Sequence, residues 1–111
     1  MSERERRIGE NEALFRQVNE RIKELNRGFS AVLERGDYLC ECGDEACIER
    51  VSLTAEEYER VRSEPTDFVV TPGHVVHDVD ELIFSGDGFE VVRKREGEAA
   101  EVARETDPRD Q

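Results

Sequence analysis

The sequence predicts an α+β fold: a long N-terminal helix, then a small zinc-tied β domain with one inserted helix and a C-terminal β-hairpin. Three observations carry this. Apolar residues from Phe15 to Val32 recur at helical spacing. Between Tyr38 and Arg93, short β-branched and aromatic runs alternate with Gly and Pro turns. All three cysteines fall inside the stretch YLCECGDEAC, from Cys40 to Cys47, a density that in a reducing compartment points to metal ligation. The chain has 111 residues, 36% of them hydrophobic and none of them Trp. That composition fits one domain with a modest core. Such a core supplies roughly 3–5 kcal/mol, so a further tie is expected.

Residues 1–10 are dense in Arg and Glu and predict a frayed N-terminus. An amphipathic helix is expected over 11–34. Phe15, Val18, Ile22, Leu25, Phe29 and Val32 are spaced 3, 4, 3, 4, 3, an a/d stripe that Leu14 and Leu33 widen. Glu12–Arg16 and Glu20–Lys23 have the spacing of helix-surface ion pairs. Gly28 interrupts the run, and Gly36 is a stop signal. The stripe has two readings: it packs on the chain's own domain, or it meets a twin chain or another protein.

Residues 35–94 form the expected zinc-binding α+β domain. Tyr38–Cys42 reads as a strand entering a turn at Gly43-Asp44, and residues 48–53 as a second strand. Thr54-Ala55-Glu56-Glu57 fits a capping box, in which the Thr oxygen and the Glu carboxylate each take an early N–H. The helix it opens runs to about Ser63 and ends before Pro65. Phe68-Val69-Val70 is a short buried strand stopped by Pro72-Gly73. Glu81–Phe84 and Phe89–Arg93 form a hairpin across Ser85-Gly86-Asp87-Gly88. Residues 95–111 read as a polar tail, with a brief helix at Glu98–Arg104 as the one local signal.

The net charge of −12 lies entirely after residue 34, because residues 1–34 carry seven acids and seven bases. An acidic surface repels nucleic-acid phosphates and anionic lipid, so neither nucleic acid nor membrane is an expected partner. No apolar run approaches the roughly 20 residues of a membrane helix. The start MSERERRIGE lacks the apolar core of a secretory signal. A cytoplasmic location is expected.

Cys40, Cys42 and Cys47 form C-x-C-x4-C, with Gly43 free to bend the backbone between them. Thiolates this close repel one another unless a cation neutralises them. Zn²⁺ does so and takes four Cys or His ligands in a tetrahedron. The fourth comes from His74 or His77, the chain's two histidines. His74 is favoured because the Pro72-Gly73 turn fixes its position. Against this stands the plain reading of three small buried hydrophobes. Structural zinc in finger peptides contributes about 10–16 kcal/mol, more than a core this small delivers. Three thiolates and one imidazole fill the coordination shell, so an enzyme is not expected. The expected function is a zinc-binding interaction or regulatory module, its helix 11–34 meeting a protein partner or a twin chain. A thiol-based redox or metal sensor is the alternative, and a metal-dependent enzyme is the least favoured.

The segments ENEALFRQVNERI, CECGDEACIERVSLT, YERVR, FVVTPGH and FEVVRK together resemble a group of small acidic bacterial proteins that carry no assigned activity. The resemblance spans about residues 10–109. It implies a bacterial cytosolic protein whose most distinctive motifs hold Cys40, Cys42, Cys47 and His74, and it implies no function.

Overall fold

A computed structural model describes residues 3–29, 35–44 and 46–108. Three helices and five strands follow in the order α1 (Glu3–Phe29), β1 (Arg35–Leu39), β2 (Arg50–Thr54), α2 (Ala55–Arg62), β3 (Asp67–Val70), β4 (Asp80–Ser85), β5 (Glu90–Lys94) and α3 (Glu98–Glu105). The architecture is α+β, with a long N-terminal helix, an inserted helix and a C-terminal hairpin. Positions 30–34 of the expected 11–34 helix lie outside the described residues.

β1 and β2 form an antiparallel pair, with Tyr38 opposite Val51 and Gly36 opposite Leu53. The other three strands form an antiparallel sheet in the order β3-β5-β4. β3 is buried along its whole length, and strand alternation divides its side chains between two cores. Val69 joins Tyr38, Val51, Leu53, Tyr58, Val61, Phe89 and Val91. Phe68 and Val70 join Cys40, Cys42, Val92 and Ala103. Tyr38 and Tyr58 stack at 4.7 Å between ring centroids. The capping box is complete: Glu57 N–H donates to Thr54 Oγ1 at 3.0 Å, and Thr54 N–H donates to Glu57 Oε1 at 2.8 Å.

Three expectations need correction. The first is the frayed N-terminus. α1 starts at Glu3, and Gly9 lets it close on α3: a Cβ at Gly9 would lie 3.1 Å from Val102 Cβ. The second is the polar tail: the brief helix expected at Glu98–Arg104 is present as α3, but it is packed into the protein. α3 buries Ala99, Ala100, Val102 and Ala103, small residues that weigh little in a hydropathy reading of a charged segment. The third concerns which side of α1 packs. Its buried ridge is Gly9, Glu12, Arg16, Asn19 and Lys23, while Leu14 and Val18 face solvent and Ile22 packs at the margin of the first core. Glu12 and Arg16 are therefore not a surface pair. Lys23 does meet Glu20 at 3.6 Å, and it also reaches Glu59 at 2.9 Å.

Each polar group on the ridge has something to hold. Arg16 donates to Pro65 O at 2.6 Å and Ala103 O at 2.8 Å, and its guanidinium lies 4.9 Å from the centroid of Phe68. Lys94 bridges Glu12 and Asp80, all three fully buried. This triad holds two carboxylates and one ammonium. Burial pushes the Glu12 carboxyl up to about 8 despite its ion pair and hydrogen bond with Lys94. A proton on Glu12 removes the unbalanced negative charge that the interior disfavours.

Candidate metal centre

Cys40 Sγ, Cys42 Sγ, Cys47 Sγ and a ring nitrogen of His74 all lie within 4.8 Å of one another, forming a group that can hold a metal ion. Local structure places each of them. Cys40 takes the rung beyond β1, its N–H donating to Glu49 O at 3.2 Å. The backbone then crosses to β3, where Glu41 N–H donates to Val69 O at 2.8 Å. At Gly43 the chain bends with φ +86°, a conformation that side-chain-bearing residues disfavour. Asp44 folds the return: its carboxylate accepts from Ala46 N–H and its carbonyl from Cys47 N–H, both at 2.9 Å. His74 closes the Thr71–His74 turn, donating its N–H to Thr71 O at 2.9 Å, with Gly73 at φ +92°.

The spacing can be compared with a tetrahedral ion. Bond lengths of about 2.3 Å to sulfur and about 2.0 Å to nitrogen imply edges of roughly 3.5 Å for S···N and roughly 3.8 Å for S···S. His74 Nδ1 lies 3.5 Å from Cys40 Sγ and 3.7 Å from Cys47 Sγ. The donor set fits a thiophilic ion at its centre. His77 stands outside the group: its ring is exposed, and its carbonyl accepts from Arg95 Nε at 3.1 Å. Cys40 and Cys42 are buried and Cys47 is half-buried.

The thiols polarise one another. A hydrogen bond from Cys42 holds Cys40 below the usual thiol range, with help from Thr71, whose N–H donates to Cys40 Sγ at 3.2 Å. The same bond pushes Cys42 up, as burial does for Cys47. A divalent cation held by these residues would reverse this for Cys42 and Cys47, stabilising their thiolates and releasing their protons.

Four residues that sequence reasoning passed over support the loop. Glu41, between the first two cysteines, is fully buried. Its carboxylate accepts from Tyr58 Oη at 2.7 Å, Asn19 Nδ2 at 2.8 Å and Val69 N–H at 3.0 Å. Burial and this carboxylate keep the Tyr58 hydroxyl protonated and hence a donor. Asn19 also brackets Leu39, donating to its carbonyl at 2.9 Å and accepting its N–H at 2.8 Å. Asn11 donates to Gly43 O at 2.9 Å. The available signal was C-x-C itself: in extended chain the middle residue faces away from the two thiols, here into the protein.

Searches against protein-family models, curated proteins and solved structures find no match for this chain. No helix among the described residues is long and apolar enough to cross a membrane.

Proposed function

We propose that this chain is a non-enzymatic, zinc-binding protein-interaction module whose ion is structural. One observation carries the reading: three sulfurs and one imidazole nitrogen converge within 4.8 Å of one another, from two segments well separated in the chain. Four such donors leave no position for water or substrate, and three thiolates blunt the Lewis acidity that catalysis needs. The ion ties the 40–47 loop to the turn at His74 and, through Asn11 and Asn19, holds α1 against the β domain. The outward side of α1, with Leu14 and Val18 exposed, is the contact surface for a protein partner.

Cobalt substitution tests the site. Strong thiolate-to-metal absorption and one equivalent of metal per chain are expected, and both fall away in Cys47→Ala and His74→Ala. A colourless cobalt form, or metal content unchanged in both variants, refutes the reading.

The half-buried position of Cys47 favours a second reading, a thiol sensor. Peroxide reaches Cys47 first, and two thiolates give up two electrons to form a disulfide as peroxide is reduced to water. The ion then leaves. Release of zinc by peroxide and its recapture after dithiol reduction distinguish this from a purely structural ion.

A further inference from the structure

The four donors of the metal group are not held alike. Cys40 is pinned from both sides. Asn19 brackets Leu39 by two bonds, and Glu41 is fixed by its N–H and by three donors to its carboxylate. The Cys40 N–H is engaged by Glu49 O, and its sulfur takes the Thr71 N–H at 3.2 Å. Cys47 has far less. Among the described residues its main chain bonds only to Asp44, within the same turn. It is half-buried, and the next residue, Ile48, is 86% exposed. Cys42 stands between these cases. It is buried, but Gly43 follows it with φ +86°, and the bond from Cys47 N–H to Asp44 O folds the chain back toward it.

Resting on the metal reading above, we propose that Cys42 and Cys47 are a redox pair: peroxide closes a disulfide between them, the ion leaves, and Cys40 stays a thiol. All three sulfurs lie within 4.8 Å of one another, so proximity does not choose among the possible pairs. What must move does choose. A disulfide brings sulfurs to about 2.05 Å and Cβ atoms to about 3.8 Å. Joining Cys40 to Cys42 contracts the chain through Glu41, against all of the bonds that hold that residue. Joining Cys40 to Cys47 must take the Cys40 sulfur from Thr71 or carry the whole loop to it. Joining Cys42 to Cys47 needs movement only within residues 42–47, a short loop hinged on Gly43, whose closure costs little entropy.

The chemistry assigns each sulfur a part. The Cys47 thiolate, the one within easiest reach of solvent, attacks a peroxide oxygen. The O–O bond breaks, hydroxide leaves and takes a proton from water, and Cys47 becomes a sulfenic acid. The Cys42 thiolate then attacks the Cys47 sulfur. The S–O bond breaks, and a second hydroxide leaves and is protonated. Two thiolates have given up two electrons, and one peroxide has become two waters. Cys40 and His74 alone cannot complete a tetrahedral shell, so the ion is lost.

Hydrogen peroxide on the zinc-loaded full-length protein, followed by alkylation and digestion without reductant, tests this. A Glu-specific protease cuts after Glu41 and Glu45 and so puts the three cysteines on separate peptides. Expected are a cross-link between Cys42 and Cys47, an alkylated Cys40, and zinc release in step with cross-linking. Cys40→Ser should still form the cross-link, and Cys42→Ser should stop at a Cys47 sulfenic acid that dimedone captures. The wild-type map needs no variant to fold. A cross-link that includes Cys40, or an ion and three thiols that survive peroxide together, overturns the pairing while the metal reading stands. A chain that takes up no cobalt before peroxide is added fails the metal reading instead, and ejection of an ion falls with it.

Discussion

Removing the metal should loosen α1, a helix that contributes no ligand. Release of the ion frees the 40–47 loop, and α1 holds that loop and its approach by four hydrogen bonds. Asn19 makes three of them, to Leu39 O, Leu39 N–H and Glu41 Oε2, and Asn11 makes one to Gly43 O. At about 1 kcal/mol each, their loss removes about 4 kcal/mol from the docking of α1. Tenfold per 1.4 kcal/mol makes this close to a thousandfold rise in the helix-opening equilibrium. That figure is an upper bound, because Arg16 still holds Pro65 and Ala103 and Lys23 still holds Glu59. Amide exchange before and after chelation reads the change directly. Protection over residues 8–23 should fall by about two to three orders of magnitude, together with that of 39–47. Asn19→Ala in the metal-loaded protein should reproduce the loss in α1 with the ion still bound. Loss confined to 40–47 would show that the loop moves independently of α1, and no loss anywhere would remove the ion from the fold's stability.

Three further outcomes are expected. Glu12 has an ordinary value of 4.5 and is raised by burial to about 8, so between these values the folded chain keeps a proton that the unfolded chain has lost. Its contribution to stability is therefore complete below the lower value and lost as pH rises through the upper, at about 1.4 kcal/mol per pH unit. Denaturant unfolding at pH 5.5 and 8.5 should show Glu12→Gln gaining about 3 kcal/mol on wild type across that interval, and parallel profiles would refute the protonated triad. Gly43→Ala places a methyl 2.7 Å from Ile8 Cγ2 at φ +86°; a stability loss of about 1–2 kcal/mol or more and weaker metal binding are expected in melting and metal titration. Thr54→Ala removes the capping box from α2 and should cost about 1 kcal/mol, read as a drop of about 4 °C in melting temperature with metal content unchanged.

The candidate metal group was legible because its signals are local. Three thiols within eight residues restrict one another whatever the fold, and Pro72-Gly73 dictates the turn that presents His74. The same holds for α2, whose capping box is written in four consecutive residues. The packing of α1 was not legible, because a hydrophobic stripe says which side of a helix prefers to leave water but not which side is taken. Here the polar side is taken, and the reason lies in distant residues: Lys94 for Glu12, the carbonyls of Pro65 and Ala103 for Arg16, Leu39 and Glu41 for Asn19. No window of sequence contains such pairs. α3 was understated for a related reason. Its alanines gain their value from the close approach that Gly9 permits, roughly ninety residues away in the chain.

Docking a helix by its polar ridge has a consequence that apolar packing lacks. Apolar contacts tolerate a slide of one turn with modest loss, whereas buried polar groups are costly once separated from their partners. Moving α1 by a turn would leave Lys94 without Glu12 and Leu39 without both of its bonds to Asn19. The register of α1 is thus set by directional bonds, and four of these end on the segment that carries Cys40 and Cys42. An ion held at the four-ligand group would fix the shape of that segment, and through Asn11 and Asn19 it would fix where Leu14 and Val18 stand on the surface. On this argument a bound metal would organise a face it never touches, and the polar ridge would carry its effect from the loop to the helix.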